Sequence, residues 1–323
     1  MPQENISKNR IRFIDIYKGI GILVMIMGHI GFSRNFNYWK ASFHMPMFFF
    51  ISGYLFKEYD FINFLKRKFN SLIQPYFWFG LLNLIFCFVF LSQQEFRIGT
   101  YLERFFFFNN KGLPPCSALW FLTALFFADL IFYFLCKYFN KIKIFFIIAA
   151  LVCFESYFKI RLPYSIDSVI YMLPVFWFGY VFKDYANKLP KVSSSIIAIL
   201  IILALYPLTL YNQAHGVRSN LYGNLLIFYF CAITMSICLY YISQIIDKIK
   251  YINWLSYIGN NSLNYMCLNQ VVILILHRIG IINDWVTLVL SLISLYLCNN
   301  IVIWTKETAK TIVAAERERE RER

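Results

Sequence analysis

An all-α, polytopic membrane fold is what this sequence predicts, and three observations carry the prediction. Of 323 residues, 59% are hydrophobic, 20% aromatic and only 15% charged, whereas a soluble domain is about 45–50% apolar and about 25% charged. Mean hydropathy is +0.57. Apolar stretches of about 20 residues, the length a helix needs to cross a bilayer, recur along the whole chain. The basic residues lie mainly between those stretches, where membrane topology puts them. The net charge of +14 is therefore read as membrane topology, and no nucleic-acid partner is expected. Disorder, collagen and coiled coil are excluded by the same composition.

Taken in order, the stretches predict about ten transmembrane helices, at about 13–33, 42–57, 71–92, 117–136, 143–159, 167–183, 193–211, 221–243, 254–277 and 284–304. Several contain Pro, Gly or Asn, which membrane helices tolerate where neighbours or a cavity satisfy the backbone. The fifth is the weakest, because it carries Glu155. With the N-terminus inside, the cytoplasmic side holds Lys8, Arg10, Arg12, Lys57, Lys66, Arg67, Lys68, the Lys137–Lys143 group, Lys183, Lys188, Lys191, Lys248, Lys250, Lys306 and Lys310. These outnumber the opposite set, Arg34, Lys40, Arg97, Arg104, Lys111, Lys159, Arg161, Arg218 and Arg278, so both termini are expected in the cytoplasm. No cleavable signal peptide is expected, since the first apolar run lacks a small-residue cleavage site. Residues 1–312 read as one transmembrane domain. The alternating Glu and Arg from Glu316 to Arg323 make 313–323 read as an engineered or disordered charged tail. The eight cysteines stand singly, with no CxxC pair, and read as small packing residues.

Ionisable side chains inside apolar spans are costly and face a cavity or a partner. The first span carries Asp15, Lys18 and His29, and His44 opens the second. Asp129, Glu155 and Asp167 are further candidates. Lys18 and His29 are 11 residues apart, which returns them to within roughly 20° of one helix face and separates them by roughly 16 Å. Gly19, Gly21 and Gly28 in the same span allow close approach by a helix or a ligand. A snorkelling lysine and a hydrogen-bonded histidine would account for either residue alone. With His44 brought to the same membrane side by a short connection, one proton-handling pocket is the sharper reading, because imidazole exchanges a proton near neutral pH. No third ligand accompanies the two histidines, so no metal is expected. The basic run Lys66-Arg67-Lys68 before Gln74-Pro75-Tyr76 either anchors the chain on anionic lipid or holds phosphate groups.

The segment Arg12-Phe13-Ile14-Asp15-Ile16-Tyr17-Lys18-Gly19-Ile20-Gly21, continuing to Gly28-His29, resembles a motif of the acyltransferase-3 family of integral-membrane acyltransferases. There a cation and a histidine are separated by ten residues, and Lys18 and His29 take the two places. The resemblance continues in Phe43-His44-Met45-Pro46-Met47, in Ser52-Gly53-Tyr54-Leu55-Phe56, in Arg67-Lys68 with Pro75-Tyr76, in Leu119-Trp120-Phe121-Leu122 and in Ile258-Gly259-Asn260-Asn261-Ser262-Leu263. The Asp-x-x-Lys-Gly form with Phe-His-Met-Pro is most similar to the fucose 4-O-acetylase-like branch of sugar O-acetyltransferases. That branch often has a histidine late in the Ser-containing helix, where this chain reads Asn269. Asn269 donates and accepts hydrogen bonds but is neither acid nor base.

The resemblance implies about ten membrane helices and transfer of an acetyl group from acetyl-CoA to a hydroxyl of a cell-surface or lipid-linked glycan. It implies His29 as the essential histidine, Lys18 as its partner cation, and residence in a bacterial cytoplasmic membrane. The residues add a working scheme. His29 serves as base or acyl carrier, and His44 orients it or the acceptor. The acyl-CoA nucleotide is held by Arg10, Arg12, Arg67 and Lys68, with Lys18 along the path and Asp15 pairing a nearby cation. Ser52, Trp120 and Asn269 stand as acceptor-side contacts. The partners expected are therefore acyl-CoA, a glycan acceptor and membrane lipid. A multi-span transporter or flippase is the alternative, and acetyl-CoA binding separates the two.

Overall fold

The computed structural model describes residues 11–91, 96–186 and 193–321. Its helices, in chain order, are α1 (Arg12–Ile30), α2 (Arg34–Ala41), α3 (Pro46–Tyr54), α4 (Phe61–Lys68), α5 (Gln74–Phe90), α6 (Ile98–Phe106) and α7 (Trp120–Tyr138). They continue with α8 (Lys141–Phe158), α9 (Ile166–Phe182), α10 (Ser193–Asn212), α11 (Leu225–Ile246), α12 (Asn253–Asn260), α13 (Ser262–Arg278) and α14 (Asp284–Arg321). Among the described residues the only β pairing is one antiparallel bridge between Gly216 and Leu221. The all-α expectation holds.

The span pattern differs from the expected ten. Among the described residues, six helical segments are long and apolar enough to cross a membrane: Arg12–Ile30, Phe61–Phe90, Ser117–Tyr138, Pro163–Phe182, Leu225–Ile246 and Asp284–Thr305. The expected span at 42–57 contracts to the nine residues of α3, about 14 Å of helix against about 30 Å of hydrocarbon. Met47, Phe49, Phe50 and Ile51 of α3 are all buried; its apolar character comes from burial in protein, chiefly against α9. The expected span at 254–277 is two helices broken at Asn261. There the Tyr257 carbonyl accepts both the Asn261 N–H at 3.1 Å and the Asn261 side-chain amide at 2.9 Å. Segments α8, α10 and α13 coincide with expected spans but lie outside these six: α8 carries Lys141, Lys143 and Glu155 within its 18 residues, and α13 is 17 residues long. The backbone of α14 continues as helix through the Glu/Arg run to Arg321.

Helix α1 is the hub, packed against α11, α12, α13 and α14 and touching α2 and α3. The closest approach is to α12, where a Cβ at Gly19 would overlap the Leu255 carbonyl and a Cβ at Gly259 would overlap that of Asp15. Two glycines facing each other thus let the backbones meet. Gly31 ends α1 in the left-handed region at φ 102, returning its N–H to Met27, as a glycine C-terminal cap does. The chain then turns into α2, whose cap Ser33 accepts from the Phe36 N–H at 3.2 Å. This tight reversal returns the chain to the His29 end of α1. On the outside, α5 and α14 expose Trp78, Leu82, Phe88, Trp285, Val289 and Ile301, the apolar faces a lipid-embedded bundle presents.

Candidate functional site

His29 lies in the last turn of α1. Its Nδ1 is 2.6 Å from Asn269 Oδ1, a contact across 240 positions of sequence. The orientation of that amide is determined by its other bonds: Asn269 Nδ2 donates to the carbonyls of Tyr265 at 3.1 Å and Met266 at 2.6 Å. Carbonyls only accept, so Oδ1 is the atom that meets the imidazole, and Nδ1 must carry the proton. Neutral His29 therefore keeps its lone pair on Nε2. His44 is arranged alike. Its Nδ1 donates to the Lys40 carbonyl at 3.0 Å, which leaves its Nε2 as the acceptor.

Lys40 joins the two histidines. Its side chain lies across Gly28, where any Cβ would overlap it, and its charge reaches both His29 and His44. Burial pushes the Lys40 ammonium down from 10.5 to about 8. The glycine beside His29 thus makes room for a cation from the neighbouring helix.

A pocket of about 470 Å³ opens over His29. One side is α13, which presents Gln270, Ile273, Leu274 and His277, spaced as one helical face. The other side is the loop from Lys111 to Ser117, with Arg218 and Leu91 completing the wall. Gln270 ties the two sides together: its Oε1 accepts from Ser117 Oγ and from the Ala118 N–H, both at 3.1 Å. Asp167, fully buried at the start of α9, ties two loops. It accepts from Asn110 Nδ2 at 3.4 Å and from Asn220 Nδ2 at 3.0 Å, and pairs with Arg161 at 3.3 Å. The Asn110 and Asn220 loops are those that carry Lys111 and Arg218. This buried carboxylate positions the pocket wall.

The remaining expected site residues have these places. Lys18 is half-buried on α1 about 16 Å along the helix from His29, and Asp15 is 5% exposed; neither is free of partners. Arg12 donates to the Asp247 carbonyl at 2.7 Å and to Asn253 Oδ1 at 2.9 Å, and pairs with the Asp247 carboxylate at 3.1 Å. It thereby clamps the end of α11 to the start of α12. Lys68 pairs with the fully buried Asp129 of α7 at 2.7 Å. Exposed Arg67 stacks its guanidinium on Tyr59, 4.5 Å from the ring centroid. Arg10 lies outside the described residues. Ser52 on α3 and Trp120, 4% exposed at the start of α7, do not line the pocket over His29. Of the three expected acceptor-side contacts, Asn269 alone reaches the histidine, and it does so as its hydrogen-bond acceptor.

Sequence reading passed over Gln270, His277 and the role of Asp167, and it counted Lys40, Lys111 and Arg218 only as loop charges. The stripe Gln270, Ile273, Leu274, His277 was the available signal, a polar-ended helical face following Asn269. Among the described residues, no group of three His, Cys, Asp or Glu side chains converges as a metal site.

Long apolar helices around a half-buried, oriented imidazole describe an integral membrane protein with a site suited to moving a proton. The sequence profile of the acyltransferase-3 family, described as an acyltransferase domain, matches residues 11–304. The chain belongs to that family, and is thus a membrane acyltransferase. No curated protein and no solved structure matches the chain.

Proposed function

We propose that the protein is an O-acyltransferase that moves an acetyl group from cytoplasmic acetyl-CoA to a hydroxyl of a cell-surface or lipid-linked glycan, in a bacterial cytoplasmic membrane. The observation that carries this reading is the Asn269–His29 hydrogen bond, which leaves Nε2 basic on a residue lining a pocket. In the reaction, Nε2 takes the proton of the acceptor hydroxyl as its oxygen attacks the thioester carbon. The tetrahedral intermediate then collapses, the C–S bond breaks, and the imidazolium returns the proton to the leaving thiolate. The products are the ester and free CoA thiol. His44, sharing Lys40 with His29, orients the acceptor hydroxyl.

The donor approaches from the Lys18 end of α1, which the excess of basic residues assigns to the cytoplasm. Arg67 and Lys66 are exposed there and suit the phosphates of the nucleotide. Arg12 and Lys68 already serve carboxylates, so their part in donor binding is shared with a part in holding the helices. Lys18 stands between the two ends on the face that leads to His29.

The test is O-acetyl content of the surface glycan, read by NMR in a strain lacking the gene and complemented with wild type or with His29→Ala at matched membrane level. Acetyl signals restored by wild type alone support the reading. Identical spectra from the deletion strain and the wild type would exclude a surface-glycan acceptor.

A further inference from the structure

The pocket over His29 is lined by Arg218, Lys111, His29 and His277, and among the described residues by no Asp or Glu. Lys111 is answered at the rim by Glu103 at 3.2 Å, with both side chains about half exposed. Arg218 is half-buried, and among the described residues no carboxylate pairs with it; its charged neighbour is a second guanidinium, Arg104. Arg104 itself donates to the Gly112 carbonyl at 3.0 Å. Lys40 too has no ion-pair partner among the described residues, and its charge faces both histidines.

The loop that carries Arg218 is held in place. Gly216 and Leu221 bridge its base. Tyr222 Oη donates to Asn220 Oδ1 at 2.9 Å, and Asn220 is tied to Asp167. Gly112, at φ 83, leaves room for the guanidinium, with Arg218 Nη1 only 2.5 Å from where a Cβ would stand. A guanidinium taken partly out of water without a counter-charge is costly. Its planar fork matches a carboxylate or a phosphate. A fixed, unanswered arginine beside the reacting base points to a charge supplied by the ligand.

We propose that this pocket takes a reactant bearing a carboxylate or phosphate beside its reacting atoms, with Arg218 as the principal contact and Lys40 and Lys111 adding to the field. The inference rests on the acyl-transfer reading of His29 and narrows its substrate class. The negative group belongs either to an acidic acceptor sugar or to a dicarboxylic acyl group.

The full chain in lipid nanodiscs is titrated calorimetrically with ligands that differ by the charged group. Methyl glucuronide and glucose 6-phosphate are compared with methyl glucoside, and succinyl-CoA with acetyl-CoA. One charged member is expected to bind about tenfold or more tighter than its neutral twin, and the pair that shows it names the source. Arg218→Gln should bring that ratio close to one, and Arg218→Lys should keep part of it, at unchanged helix content. Equal binding in every pair, or a preference that survives Arg218→Gln, overturns the proposal. CoA thiol release is followed in the same samples. Charge preference without thiol release would remove the acyl-transfer reading and leave the anion site standing; thiol release without preference would do the reverse.

Discussion

Replacing Asn269 by Ala takes away the acceptor that holds the His29 Nδ1 proton and adds no new group beside the ring. The hydrogen bond is short, 2.6 Å, and Asn269 is fully buried, so water does not readily substitute for the lost oxygen. Leaving a buried donor unsatisfied costs about 1–3 kcal/mol. At about 1.4 kcal/mol per decade, that amounts to a roughly 5- to 150-fold loss of the imidazole form with a basic Nε2. The helix itself should survive. The carbonyls of Tyr265 and Met266 lose a side-chain donor but stay in the α13 ladder, and Ala is the best helix former. We therefore expect Asn269→Ala to lower kcat by one to two decades while KM for acetyl-CoA moves less than about twofold, because the lost interaction acts on the transition state. Asn269→Asp, protonated on the oxygen that faces the Tyr265 and Met266 carbonyls, keeps an acceptor toward Nδ1 and should recover part of the rate. The assay is thiol release from acetyl-CoA by protein in proteoliposomes, with thermal unfolding as a folding control. A wild-type kcat in Asn269→Ala would refute the orienting role. Equal losses in the Ala and Asp variants would do so as well.

Other expectations concern the frame around the site. Asp167→Ala removes the tie between the Asn110 and Asn220 loops and leaves their amides unpaired; it should cost about 2–4 kcal/mol, read as a drop in Tm. Lys68→Met leaves the fully buried Asp129 without its cation and should destabilise by about 3–5 kcal/mol. The double variant Lys68→Met with Asp129→Leu should regain stability, and full activity in it would show that Lys68 is dispensable for donor binding. Burial holds Lys40 at about 8 against 10.5, so the unfolded chain binds more protons than the folded one between those values. Stability should therefore rise with pH across that window, and Lys40→Met should flatten the rise in thermal unfolding scans.

Much of this arrangement was legible in the chain. Apolar runs locate the helices, and the 11-residue separation of Lys18 and His29 places them on one face of a helix that is indeed continuous from Arg12 to Ile30. The short connection from His29 to His44 brings the two rings to one cation, Lys40. Hydropathy alone does not tell lipid from protein as the surroundings of an apolar run. Helix α3 reads as a span because its residues are apolar, yet they are buried against neighbouring helices. The break at Asn261 leaves no mark in an apolar average. The Asn269–His29 contact joins positions 240 apart, and no periodicity reaches that far. Asn269 was recognisable as a hydrogen-bonding residue, but its partner was not. Arg218 and Lys111 looked like ordinary loop charges; only the folding of two loops over His29 gives them a common target.

In the proposed transfer His29, held by Asn269, is the base. Acceptor-dependent thiol release from acetyl-CoA, measured for wild type and His29→Ala as purified folded protein, tests it most directly. Turnover is expected in wild type, with a loss of about 10²- to 10⁴-fold in the variant, the range a positioned general base contributes. Wild-type thiol release by His29→Ala would contradict it.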